Sequence, residues 1–113
     1  MLPAAYRMRR STEFSSIVRT GMRARRGAVV VHQVVRDDAG PPRVGLIVGS
    51  VVGNSVQRHR VSRRLRAQLA TRLDRLPAGS GTVVRALPSA AGCSSVRLGD
   101  DLDSALARLT SRS

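Results

Sequence analysis

Lysine and tryptophan are absent from this 113-residue chain, and phenylalanine, tyrosine and cysteine occur once each. A single thiol, Cys93, cannot close an intrachain disulfide, which fits a reducing compartment. With only His32 and His59 beside it, it makes a poor metal ligand or nucleophile. The scarcity of aromatics leaves the core to Val, Leu, Ile and Ala, and the abundance of Val points to a sheet. The longest apolar run, VGLIVGSVVG at 44–53, is too short to span a bilayer and is interrupted by glycine. MLPAAYRMRR lacks the apolar segment of a secretory signal, so the cytoplasm is the expected location. Neither the clustered carboxylates of a metal-dependent nuclease nor the paired His or Lys of an acid–base ribonuclease is visible. No catalytic side chain and no metal site are therefore expected in the protein itself.

What the chain has instead is arginine. All 20 basic residues are Arg, against seven acids, for a net charge of +13. The planar, bidentate guanidinium suits phosphate, although GC-rich codon usage would also favour Arg over Lys. Placement says more than residue choice. Residues 1–66 hold 14 arginines against three acids, while residues 67–113 hold six against four. A field gathered into one half of the chain is the footprint of a polyanion partner. The length allows one domain, residues 1–113, and no linker divides it.

The elements follow from periodicity. STEFSSIVRT at 11–20 reads as a short helix capped by Ser11, with Glu13 at its positive end, Phe14, Ile17 and Val18 on one face and Gly21 as the stop. AVVVHQVV at 28–35 reads as a strand with Val30, His32 and Val34 on one face. After the turn cluster DDAGPPR, RVGLIVGS at 43–50 reads as a second strand. Being apolar on both faces, it is expected to be central and to form a hairpin with the first, and a short strand near 22–26 would add to the pair. Asn54 or Ser55 caps a long helix whose stripe is Val61, Leu65, Leu69, Leu73 and Leu76, ended by Pro77, Gly79 and Gly81. TVVRALP at 82–88 is a further strand. A last helix starts at Ser94 or Ser95, carries Leu98, Leu102, Ala105, Leu106 and Leu109 at helical spacing, and has Asp100 and Asp101 in its early turns.

The long helix opens with GNSVQRHRVSRRLR, in which Arg58, Arg60, Arg63, Arg64 and Arg66 fall within nine residues. Like charges three or four apart repel by a few tenths of a kcal/mol per pair, and no acid lies between Asp38 and Asp74 to relieve them. On the helical wheel Arg60, Arg63 and Arg64 project away from the apolar stripe, with Arg66 at its border. A membrane-surface helix would need apolar anchors free to insert, whereas this stripe is needed for a core. An ordinary solvated helix would interleave acids. Nucleic acid fits best, because phosphates neutralise the repulsion and release counterions. A helix-turn-helix is excluded by the strands on both sides of the helix. RNA modules add an exposed sheet for unstacked bases, for which Phe14, Val30 and His32 are the candidates; the plainer alternatives are a core position for Phe14 and a strand-surface position for His32.

GNSVQRHRVSRRLR resembles the signature of the bacterial ribonuclease P protein subunit, a Gly-Asn followed by Val and an Arg-Asn-Arg run. Asn54, Val56, Arg58, Arg60, Arg63, Leu65 and Arg66 stand at matching places. RMRRSTEFSSIVRTG, RVGLIVGS and VVRALP resemble the flanking elements, so that the likeness covers most of residues 6–110. The chain departs from the pattern at His59, where the run has Asn, at Ser62, where Lys is usual, and at Ser50 and Val51, often Lys-Lys. The resemblance implies an α+β fold, a two-layer α-β-β-β-α-β-α sandwich with a left-handed βαβ crossover like the second domain of ribosomal protein S5. It implies a cofactor protein, monomeric within a 1:1 protein–RNA holoenzyme, whose catalytic RNA removes the 5′ leader from precursor tRNA using Mg²⁺ bound mainly by the RNA. By position, Asn54, Arg58, His59, Arg60, Arg63, Arg64 and Arg66 would contact RNA. Phe14, Val18, Val30 and His32 would line a cleft for the leader, and Arg9 and Arg10 would add basic contacts. The alternative is a ribosomal or other structural RNA-binding protein with no part in cleavage.

Overall fold

A computed structural model of the chain describes residues 3–36 and 40–112. The order of elements is α1 (Ser11–Thr20), β1 (Met22–Arg26), β2 (Val29–Val35), β3 (Arg43–Ile47), α2 (Ser55–Ala70), β4 (Ser80–Ala86) and α3 (Ser95–Arg112). This is the expected α-β-β-β-α-β-α series. The strands form one mixed sheet in the order β1-β2-β4-β3, antiparallel except where β3 runs parallel to β4.

The sheet order corrects two expectations. β2 and β3 do not form a hairpin, because β4 lies between them, and β3 is an edge strand rather than a central one. β2 and β4 occupy the middle because helices cover both of their faces. Val29, Val31, Val84 and Ala86 point into the core shared with α2 and α3, while Val83 points to the smaller cluster under α1 with Ile17 and Met8. β3 can be apolar on both faces at an edge because the chain before α1 runs along its outer side, where Met8 N–H donates to the Val44 carbonyl at 2.8 Å. A covered edge cannot template further pairing.

Helix boundaries follow local hydrogen bonding. Ser11 is the first residue of α1 and not its cap; Arg10 holds the cap position without a side-chain bond. Asn54 does cap α2, in a reciprocal capping box: its side chain accepts from Gln57 N–H, and its own N–H donates to Gln57 Oε1, both at 2.9 Å. α2 ends at Ala70, well before Pro77, and Leu73 falls in a separate 3-10 turn. The end comes early because side chains take over the last carbonyls: Thr71 Oγ1 and Arg72 Nη1 both donate to Gln68 O. Arg72 then grips Asp103 of α3 through two bonds, at 2.7 and 3.2 Å, and Arg75 joins it there. The Arg72 hydrogen bonds hold the Asp103 carboxyl below its ordinary range. The stripe residues Val61, Leu65 and Leu69 are fully buried, as are Leu98, Leu102 and Ala105 of α3.

Asp101 has a role that its place near the start of α3 does not announce. Its carboxylate is buried and accepts the Ala28 N–H at 3.0 Å, tying the β1–β2 turn to α3. Asp101→Ala leaves that buried donor unpartnered and is expected to lower stability by about 1–3 kcal/mol. A urea titration followed by circular dichroism would show it, and an unchanged midpoint would remove Asp101 from the fold's supports.

Candidate nucleic-acid interface

The arginine-rich turns of α2 lie on the outer side of the molecule, above the buried Val61 and Leu65. Among the described residues, the carboxylate ion pairs join Arg43 to Glu13, Arg72 and Arg75 to Asp103, and Arg97 to Asp101, and none reaches Arg58, Arg60, Arg63, Arg64 or Arg66. Arg58 also stands in the first turn of the helix, where the backbone dipole is itself positive. The structure divides them. His59, Arg60 and Arg63 line a shallow concavity of about 440 Å³ with Ser55 and the exposed Val56. Arg64 turns the other way and donates to the Cys93 carbonyl at 2.6 Å, pinning the loop before α3. Arg58 is partly buried, with an unpartnered Nε. Asn54 is occupied by its capping box. Of the seven signature residues, His59, Arg60, Arg63 and Arg66 therefore offer the most available side chains.

A second surface lies where α1 crosses the opposite face of the sheet. Phe14 rests directly on Gly45 of β3, where a Cβ would come within 2.3 Å of the ring, and Ile17 rests on Gly81 of β4, where a Cβ would meet it at 2.6 Å. These glycines let α1 approach the backbone closely enough for Phe14 to become the ridge between two hollows. On one side Phe14, Ser15, Val18 and Ile47 line an apolar groove of about 300 Å³. On the other, Phe14, Met8 and Val44 meet Arg7 and Arg66 around a polar hollow of about 260 Å³. The two surfaces thus adjoin at Arg66, which comes from α2, and Phe14, which comes from α1. Arg9 and Arg10 are exposed just before α1.

The other two cleft candidates sit differently. Val30 and His32 face α1 but are buried, at 3% and 2% exposure, so His32 is not a strand-surface residue. Burial first, and then the nearby charges of Arg85 and Arg23, hold its imidazole below its ordinary pKa. Sequence reading missed Ile47, which ends β3 and forms the groove wall, and Arg7 and Arg85. The alternation of RVGLI places Gly45 and Ile47 together on one face, a signal obscured because the neighbouring positions are apolar too.

A family model described as Ribonuclease P matches residues 2–110. The ribonuclease P protein component of Mycobacterium sp. (strain KMS) is 52% identical over 113 residues, covering 99% of this chain and 96% of that protein. The component from Salinispora tropica is 48% identical, covering 95% and 92%. Among solved structures, the RNase P protein of Staphylococcus aureus superposes with a TM-score of 0.82 at 21% identity, covering 93% of this chain and 95% of that one. The RNase P protein of Thermotoga maritima gives 0.78 at 20% identity, covering 90% and 96%.

Proposed function

This chain belongs to the ribonuclease P protein family, and from that premise we propose how its two surfaces divide the work of the holoenzyme. It is the protein cofactor of a catalytic RNA in tRNA 5′ processing. In our reading, His59, Arg60 and Arg63 on α2 contact phosphates of the catalytic RNA. The apolar groove of Phe14, Val18 and Ile47 takes unstacked bases of the precursor tRNA's 5′ leader, and Arg66, beside Phe14, holds the strand where the two surfaces adjoin. The observation that carries this division is that Phe14 bounds both the apolar groove and the hollow lined by Arg66, which stands on the same helix as Arg60 and Arg63. Arg9 and Arg10 extend the positive field beyond the groove.

The protein contributes binding and placement. Holding precursor and ribozyme together converts an encounter into a positioned reaction, and positive charge offsets the repulsion between two polyanions. Among the described residues no three His, Cys, Asp or Glu side chains gather as a metal-ligand group, and in our reading the Mg²⁺ of the reaction is held mainly by the RNA. Phosphate oxygens of the RNA are the hard ligands such an ion prefers. No helix among the described residues is long and apolar enough to cross a membrane, and we place the protein in the cytoplasm as one copy per RNA.

The test is reconstitution at physiological salt of precursor tRNA with the cognate catalytic RNA, with and without the chain. Cleavage at the mature 5′ end that depends on the protein supports the reading. Tight RNA binding that leaves cleavage unchanged across a salt titration would replace it with a structural RNA-binding role.

A further inference from the structure

We propose that His32, together with Arg85 and Arg23, forms a subsite for one phosphodiester of single-stranded RNA, and that this phosphate is taken up together with a proton. The inference rests on reading the face of the sheet under α1 as the leader-binding surface. It adds that this part of the surface recognises backbone charge and not a base.

Strand register supplies the first observation. His32 of β2 stands opposite Arg23 of β1, and Val30, two residues earlier on the same face, stands between Arg25 of β1 and Arg85 of β4. One arginine therefore stands directly beside His32, and two more flank the next residue on its face. The second observation is hydrogen bonding. Neither ring nitrogen of the buried His32 meets a protein partner, and the Nε of Arg85 is likewise buried and unpartnered. Orphaned buried polar atoms are uncommon in folded proteins, and each calls for an explanation.

Charge decides what the missing partner is. Among the described residues β1, β2 and β4 carry no carboxylate. The charged residues of α1 are Glu13 and Arg19; Glu13 accepts from Arg43 Nη1 at 2.9 Å, and Arg19 adds another positive charge. A protonated imidazole and a guanidinium Nε offer only donors. The complement to a set of donors in a positive field is an anion rich in acceptor oxygens, which a phosphodiester is. A stacked base would leave all three nitrogens unpartnered. Arg85 is the movable part: it is half-buried and its Nε has no partner, so its guanidinium can close on a phosphate that reaches the imidazole edge beneath.

Proton uptake follows from the same geometry. In the free protein, burial and then the charges of Arg85 and Arg23 hold the His32 imidazole below its ordinary pKa. A bound phosphate opposes both arginine charges and offers the imidazolium an acceptor, so the bound-state pKa rises above the free-state value. RNA binding then tightens as pH falls through the interval between those two values and is flat outside it. One proton limits the slope to about tenfold per pH unit.

Imidazole NMR of the full chain tests this. The chain holds two histidines, and His32→Phe identifies the His32 signal by its disappearance. The pH titration is run on free protein, with inorganic phosphate, and with a single-stranded RNA oligonucleotide whose binding is followed by fluorescence anisotropy. The expected result is an upward shift of the His32 midpoint with RNA, on the order of one pH unit, a smaller shift with phosphate, and loss of the pH slope of RNA affinity in His32→Phe. An oligonucleotide that binds in a Phe14-dependent way without moving the midpoint overturns the subsite and leaves the groove standing. A shift with phosphate alone overturns the assignment to RNA. Binding insensitive to Phe14→Ala overturns the groove reading and the subsite with it.

Discussion

With Arg60 and Arg63 both replaced by alanine, affinity for the catalytic RNA is expected to fall on the order of 10- to 100-fold at moderate salt, while the protein becomes no less stable. The two effects part because of how these side chains are held. Both line the same outer concavity on α2, neither is paired with a described carboxylate, and at i and i+3 they repel each other. Alanine removes the repulsion and is a better helix former, so the melting temperature should stay level or rise slightly. Charge-assisted contacts to phosphate are what is lost. Each phosphate contact contributes roughly 0.9 to the slope of log affinity against log salt for duplexes, and the slope should accordingly flatten by about two. Isothermal binding to the catalytic RNA at several salt concentrations measures all of this. An unchanged salt slope would move the RNA contacts off this face. Arg64→Ala is the internal contrast: its guanidinium holds the Cys93 carbonyl, so its loss should show in stability more than in the salt slope.

That contrast also shows what sequence could and could not convey. Helical and strand periodicity located every main element, because burial on one face imposes a period that survives in one dimension. The cap of α2 was legible to within one residue, as Asn54 or Ser55, because capping is local; the reciprocal bonds with Gln57 decide for Asn54. Strand order was not, because it depends on which strands can be covered on both faces, and that is settled by α1 lying on one side and α2 with α3 on the other. The early end of α2 was hidden for the same reason: Asp103, a residue 31 positions away, draws Arg72 out of the helix. Among the signature arginines a helical wheel treats Arg60 and Arg64 alike, yet only Arg64 has a carbonyl within reach. The groove was half visible. Phe14 and Val18 are spaced to share a face, whereas Ile47 and Arg66 join them through tertiary packing alone.

Phe14→Ala is expected to weaken binding of precursor tRNA by the holoenzyme about 10- to 100-fold, and to leave binding of mature tRNA nearly unchanged. Stacking of a base on an aromatic ring contributes roughly 1–3 kcal/mol, and this chain has one phenylalanine and no tryptophan with which to replace it. Both hollows beside α1 are bounded by the same ring, so its removal merges them and takes away the ridge between Ile47 and Arg66. The ring also covers Gly45, and some loss of stability will accompany the alanine. Phe14→Leu separates the causes, since it restores apolar volume over Gly45 without a π-face. Recovery of stability with no recovery of precursor affinity identifies stacking; recovery of both means that Phe14 only props α1 on the sheet. The salt slope supplies a second axis. An aromatic contact releases no counterions, so the Phe14 variants should run parallel to wild type when affinity is plotted against salt, where the Arg60 and Arg63 double variant should diverge. A precursor-specific loss with an unaltered slope is the pattern that only a base-binding groove produces.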